Sequence, residues 1–212
     1  MRHEPLWPPA LAMLAIAGLY AALPPNLTWG APWWLLVAIV SPMIALILIF
    51  HRLDNHWVSH FLGYVLNSIV TAAMIFSVAL LILEVTQHTV SAQRLMSSAA
   101  ELWLANILVF ASWYWRLDAG GPHERARTSV HTDGAFFFPQ MGMTDDARIA
   151  AGEADWKPNF IDYLFLAFNT STAFSPTDVP VLSRWAKVLM MIQAVISLLV
   201  IALLAGRAVN IL

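Results

Sequence analysis

The sequence predicts an all-α membrane protein: five transmembrane helices plus one re-entrant half-helix near the C-terminus. Its 212 residues are 59% apolar and only 11% charged, with a mean hydropathy of +0.68, whereas about a quarter of a soluble domain is charged. Five apolar blocks approach or exceed the roughly 20 residues needed to cross hydrocarbon at 1.5 Å rise per residue. Between the last such block and a shorter apolar helix lies "FNTSTAFSPTD", residues 168–178. It is too polar to span a bilayer and too poor in charge to be an ordinary surface loop.

Residues 5–50 contain no Asp, Glu, Lys or Arg, and two spans fit there. The first, "PPALAMLAIAGLYAALPP", is short and closed by proline pairs, which lack the N–H a continuing helix needs. It is expected to remain as a helix rather than be removed as a signal peptide. The second, "WWLLVAIVSPMIALILIF", carries Pro42 inside, a position for a kink. Further spans run from Phe61 to Val85, Leu95 to Trp115 and Trp185 to Val209. Trp7, Trp29, Trp33, Trp34, Trp57, Trp113, Tyr114, Trp115 and Trp185 border them, where an interfacial aromatic belt is expected.

Residues 116–157 form the one long hydrophilic segment, with five basic and seven acidic residues, Gly-containing turns and an isolated "AFFFP" run. It reads as a small extramembrane cap in which Phe136 to Pro139 pack on the membrane surface or a helix end, or else bind a partner. After it, Pro158 and Asn159 start a helix through "IDYLFLAFNTST" that is too short to cross, and Pro176 and Pro180 prevent its continuation. Non-helical backbone at membrane depth survives only where protein buries it or water lines it. The expected organisation is therefore an N-terminal three-helix membrane region, 1–90, and a C-terminal module, 91–212. Within the latter come a helix 94–116, an extramembrane cap 117–157, a short half-helix 159–172, a loop 173–180 and a helix 184–210.

On those residues, "YLFLAFNTSTAFSPTDVPVLSRWAKVL" resembles the pore module of the tetrameric cation channels, whose potassium-selective members carry T-V-G-Y-G-D in the loop. The region is also similar to a family of uncharacterised bacterial integral membrane proteins with a pore-like C-terminus. With "WRLDAGGP" and "FFFPQM", that likeness covers about half the chain, from Trp103 onward. The resemblance implies a potassium-channel-like pore module at the C-terminus, 91–212, with an outer helix 94–116, a pore helix 159–172, a filter-like loop 173–180 and an inner helix 184–210; its filter-like residues are Asn169, Thr170, Thr172, Ala173, Phe174, Ser175, Pro176, Thr177 and Asp178. Both filter glycines are absent. Ser175 and Thr177 stand in their places and Pro176 fixes φ, so a stack of dehydrating carbonyl rings is not expected. Hydroxyl and amide rings with Asp178 at the mouth suit a wider site for a partly hydrated cation; the same side chains also serve as caps and braces in ordinary turns.

Helical periodicity puts Gln193, Ser197, Val200, Leu204 and Arg207 on one face of the last helix. That face either lines a central path or supplies interhelical hydrogen bonds. Glu84, Arg94, Glu101 and Arg207 are expected to gather at the other membrane face as an intramembrane charge cluster, a brace or a proton relay. Asn67, Ser68, Thr71 and Asn106 read as interhelical hydrogen-bonding residues. His51, Asp54, His56 and His60 share a helix junction, but "HWVSH" lacks the glutamate of a hydrolytic zinc helix. No catalytic residue, metal site or cofactor is expected.

The sequence without cysteine leaves compartment unread from redox chemistry, and a net charge of −2 offers no basic field for nucleic acid. Of the 11 Lys and Arg, all but Arg94 and Arg207 fall on the cap side. A pore loop entering from outside puts them outside, while the positive-inside rule puts them in the cytoplasm. The functional expectation is a multi-pass protein of the cell inner membrane that is not an enzyme. It would be a homotetrameric ion channel, not potassium-selective, with lipid, inorganic ions and its own copies as partners. The alternative is a non-conducting pore-derived scaffold or binding protein.

Overall fold

The computed structural model describes residues 5–28, 30–53, 55–87, 91–127, 134–172 and 179–209, without the side chains of 86, 87 and 207–209. Its described residues are helical apart from turns and one isolated antiparallel bridge, Phe136 to Val181. In chain order the helices are α1 Trp7–Ala22, α2 Leu35–Arg52, α3 His56–Gln87, α4 Ala92–Leu117, α5 Pro122–Arg127, α6 Asp145–Ala150, α7 Phe160–Thr172 and α8 Arg184–Val209. Four of them, α2, α3, α4 and α8, are long and apolar enough to cross a membrane. At 16 residues α1 is shorter than the expected fifth span, about 24 Å, because Pro8 and Pro9 open it and Pro24 and Pro25 come directly after it. α2 continues unbroken through Pro42.

α4 is the centre of the bundle, packed against α1, α3, α7 and α8. The sequence explains this position: small residues Ala99, Ala105 and Ala111 on its buried face allow close approach, and Leu102, Val109 and Phe110 fill the space between neighbours. Because α1 packs on α4 and also reaches α7, the N-terminal helices and the C-terminal module share one apolar core.

The cap is tied down by its aromatic run. Phe136 is 1% exposed and sits among Tyr114, Tyr163, Trp185 and Phe138, with ring centroids 5.3–6.5 Å away. Burying such a ring contributes about 2–3 kcal/mol. The backbone is fixed beside it: Phe137 N donates to Pro180 O at 2.9 Å and Leu182 N to Ala135 O at 2.8 Å. Phe136 and Phe138 of this run are thus buried against the helix ends, while Phe137 stays exposed. Two border aromatics depart from the expected belt for the same reason. Tyr114 and Trp115 are 0% and 1% exposed, covered by cap residues that arrive later in the chain, whereas Trp7, Trp33, Trp34 and Trp57 lie open at the surface. Trp29 lies outside the described residues.

Asp118, directly after α4, is fully buried and joins three segments. Its Oδ1 accepts from Ala135 N at 2.5 Å and its Oδ2 from Tyr163 OH at 2.6 Å. The Arg125 Nη1 donates to Trp115 O at 2.7 Å and Asp118 O at 2.8 Å, with its guanidinium over the Tyr163 and Trp115 rings. The reversal that brings α5 back over the end of α4 needs glycine at Gly121, where φ is +91° and an added Cβ would lie 2.9 Å from Arg116 O.

Candidate functional site

α7 begins on a reciprocal cap: Asn159 Oδ1 accepts from Ile161 N at 2.8 Å while Asp162 Oδ2 accepts from Asn159 N at 2.7 Å. Burial pushes the Asp162 carboxyl above the usual carboxylate range. The Asn159 N–H opposes this shift, and the Glu153 charge adds to it. A group whose folded pKa is raised contributes stability that is present below its unfolded pKa and lost as pH rises through its folded pKa. Asp162→Asn keeps an acceptor for Asn159, so its Tm should gain on the wild type as pH rises from about 4 to 7; parallel melting curves across that range would contradict this.

Further along, α7 lies against α4 and α8 and is fastened there by one side chain. Gln193 of α8 is fully buried; its Nε2 donates to Ala167 O at 2.7 Å and to Ser171 Oγ at 2.8 Å, and its Oε1 accepts from Tyr114 OH at 2.6 Å. Asn106 of α4 extends the network, its Nδ2 donating to Ser197 Oγ at 2.8 Å and Gln193 O at 3.2 Å. A buried amide without such partners would cost several kcal/mol in an apolar medium, so these bonds fix how three helices meet. Gln193 is about 14 Å along α8 from Arg184, and Asn106 about 17 Å along α4 from Leu117. The network is therefore well inside the bundle.

Of the expected pore-lining residues, Gln193, Ser197 and Val200 turn into the bundle of their own chain, at 0%, 2% and 0% exposure. The Gln193 amide is satisfied there by Tyr114 of α4 and by Ala167 and Ser171 of α7. Leu204 is half-buried, and the Arg207 side chain lies outside the described residues. The outward face of α8 is apolar instead, with Val188, Met191, Val195 and Leu198 exposed.

Of the filter-like residues, Asn169, Thr170 and Thr172 occupy the last turns of α7, and both threonine hydroxyls donate back to the chain, to Leu166 O and Phe168 O. Ala173, Phe174, Ser175, Pro176, Thr177 and Asp178 lie outside the described residues. Beside the end of α7 opens a cleft of about 220 Å³, walled by Thr170, Ser171 and Thr172 of α7 and by Ala194, Ser197 and Leu198 of α8.

The expected charge cluster is described only in part. Glu84 is buried on α3 and Glu101 half-buried on α4. Arg94 is exposed and donates to Ala22 O at 3.1 Å, capping the end of α1. Among the interhelical candidates, Asn106 behaves as expected, and Thr71 Oγ1 accepts from Trp113 Nε1 at 2.9 Å. Ser68 is exposed on α3. Among the described residues, the Asn67 side-chain amide is buried with no hydrogen-bond partner for either polar atom. The junction histidines join a residue that no sequence pattern singles out, His123 of α5, whose ring stacks on His56 at 3.7 Å. Asp54 lies outside the described residues. Among the described residues no three His, Asp or Glu form a group able to hold a metal.

Tyr114, Ser171, Asp118 and Tyr163 are the structural residues that sequence reasoning missed. Only Ser171 carried a usable signal: it lies four positions after Ala167 on a short helix rich in hydroxyls. Comparison with family models, curated proteins and solved structures returns no match for this chain.

Proposed function

We propose that the protein is a channel-like, non-enzymatic integral membrane protein of the inner membrane. Its α7 and residues 173–180 would form a re-entrant loop, and four copies would enclose a non-potassium-selective ion path. The observation that carries this reading is the anchoring of α7. A helix of 13 residues, about 20 Å long, cannot cross hydrocarbon, yet Gln193 holds its final turns deep between α4 and α8. The residues beyond 178 support a return to the cap side, since Val181 bridges Phe136 and Leu182 bonds Ala135. The hydroxyl-walled cleft at the end of α7 is the natural approach to the loop. With Gln193 and Ser197 turned inward, any path along α8 would be lined by its apolar face, a hydrophobic constriction of the kind that gates by dewetting. In this reading α1, though short, counts as the fifth span, and the Lys and Arg bias turns the cap toward the cytoplasm. Cysteines engineered at positions 91 and 133 report that orientation.

Purified protein in planar bilayers should conduct cations, and Asp178→Asn should reduce cation preference severalfold, as expected for an acid at a pore mouth. Absence of current under all ionic and voltage conditions would contradict the reading. The second reading, a non-conducting membrane scaffold or binding protein, is favoured by the burial of the polar stripe on α8 within one protomer. Native mass spectrometry separates the two: four copies support the channel, any other stoichiometry the scaffold.

A further inference from the structure

At the cap-side ends of α1, α2, α3 and α4 lies a cavity of about 50 Å³, closed on one side by α5. One end is polar, formed by the Arg116 guanidinium beside His60 and His123; the other is apolar, formed by Met13, Ile44 and Leu48. Arg116 is 8% exposed, and among the described residues it makes no hydrogen bond or ion pair. Its Nε is buried without a partner. The guanidinium is held instead between the Tyr64 and Trp115 rings, 5.8 and 5.5 Å from their centroids. Such contacts stabilise a cation but accept none of its five N–H donors.

The nearby carboxylate of Glu124 is bonded to Arg127 at 3.1 Å. The chain has also made room for the guanidinium: a Cβ on Gly63 would collide with Arg116 Nη1. A buried, always-charged fork with open donors is costly unless an anion completes it. The cavity has room for about three waters or one tetrahedral oxyanion.

We propose that this cavity binds an oxyanion, the phosphate of an anionic lipid headgroup, with Arg116 as its bidentate partner and the α1 and α2 wall receiving the start of the acyl region. The argument is independent of ion conduction. A lipid is favoured over a free anion because Leu48 on the apolar wall is itself open at the outer surface of the bundle. Basic pockets between helix ends at an interface are suited to such headgroups.

The test uses the full-length protein in detergent, titrated with phosphatidylglycerol, with phosphatidylcholine and with inorganic phosphate alone, and read by native mass spectrometry. Phosphatidylglycerol is expected to bind about tenfold or more tighter than phosphatidylcholine. Arg116→Gln is expected to abolish that preference, and Gly63→Ala, which displaces the guanidinium without removing it, to weaken it. If inorganic phosphate binds through Arg116 while the anionic lipid gains nothing, the oxyanion site stands and its source is a free anion. Equal binding of the two lipids by the wild type together with no binding of phosphate would overturn the proposal, without needing either variant to fold. So would an Arg116→Gln protein that binds as the wild type does.

Discussion

Asp118→Ala should be the most destabilising single substitution in the cap, lowering stability by about 3–5 kcal/mol. The carboxylate is fully buried and accepts from Ala135 N and Tyr163 OH, and hydrogen bonds to a charged group contribute about 1.5–3 kcal/mol each. Truncation leaves both donors without an acceptor and removes the negative charge beside Arg125, whose guanidinium already reaches the Asp118 carbonyl. The loss would spread because Ala135 holds Leu182 through its carbonyl, so the start of α8 is released with the cap. Thermal unfolding in detergent measures the size of the effect, and limited trypsin cleavage after Arg148 locates it. Tyr163→Phe removes only one of the two bonds and should cost about 1–3 kcal/mol. An Asp118→Ala protein that melts with the wild type and resists trypsin equally would contradict this account of the cap.

Gln193→Met should come second, at about 2–4 kcal/mol, and its effect should concentrate on α7. Met keeps the volume of the side chain, so packing changes little, but Tyr114 OH, Ser171 Oγ and Ala167 O lose the amide they share. Interhelical hydrogen bonds in membranes average below about 1 kcal/mol each, yet stranding several buried groups together costs more than any one pair. A double-mutant cycle of Gln193→Met with Ser171→Ala isolates one link, and a coupling of about 0.5–1.5 kcal/mol is expected. Strict additivity would mean that the bond does not hold α7 in place.

The two residues differ in how far the sequence announces them. Hydropathy and proline positions locate α4, α7 and α8 within a few residues, because helix length and the cost of exposed backbone in lipid leave few alternatives. Periodicity also puts Gln193 and Ser197 on one face. What it does not contain is the identity of the facing surface, and the same stripe serves a water-filled path or a neighbouring helix equally well. The structure turns it to α7, the very helix whose shortness was legible. Tyr114 reads as a belt residue because it borders a span, and only the later arrival of Phe136 buries it. Asp118 depends on Tyr163, 45 positions away, and Arg116 on the absence of a side chain at Gly63. Such pairings are decided by tertiary approach, which local pattern does not encode.

The same anchoring gives the channel-like reading its most direct test. With no cysteine in the natural chain, single cysteines at positions 158 and 182 can be labelled by an impermeant reagent in right-side-out and inverted membrane vesicles. A segment that enters beside α4 and turns back predicts that both positions react from the same side of the membrane. Labelling of position 158 from one side and position 182 from the other would mean that α7 and the residues after it thread the bilayer, and the re-entrant loop would not exist.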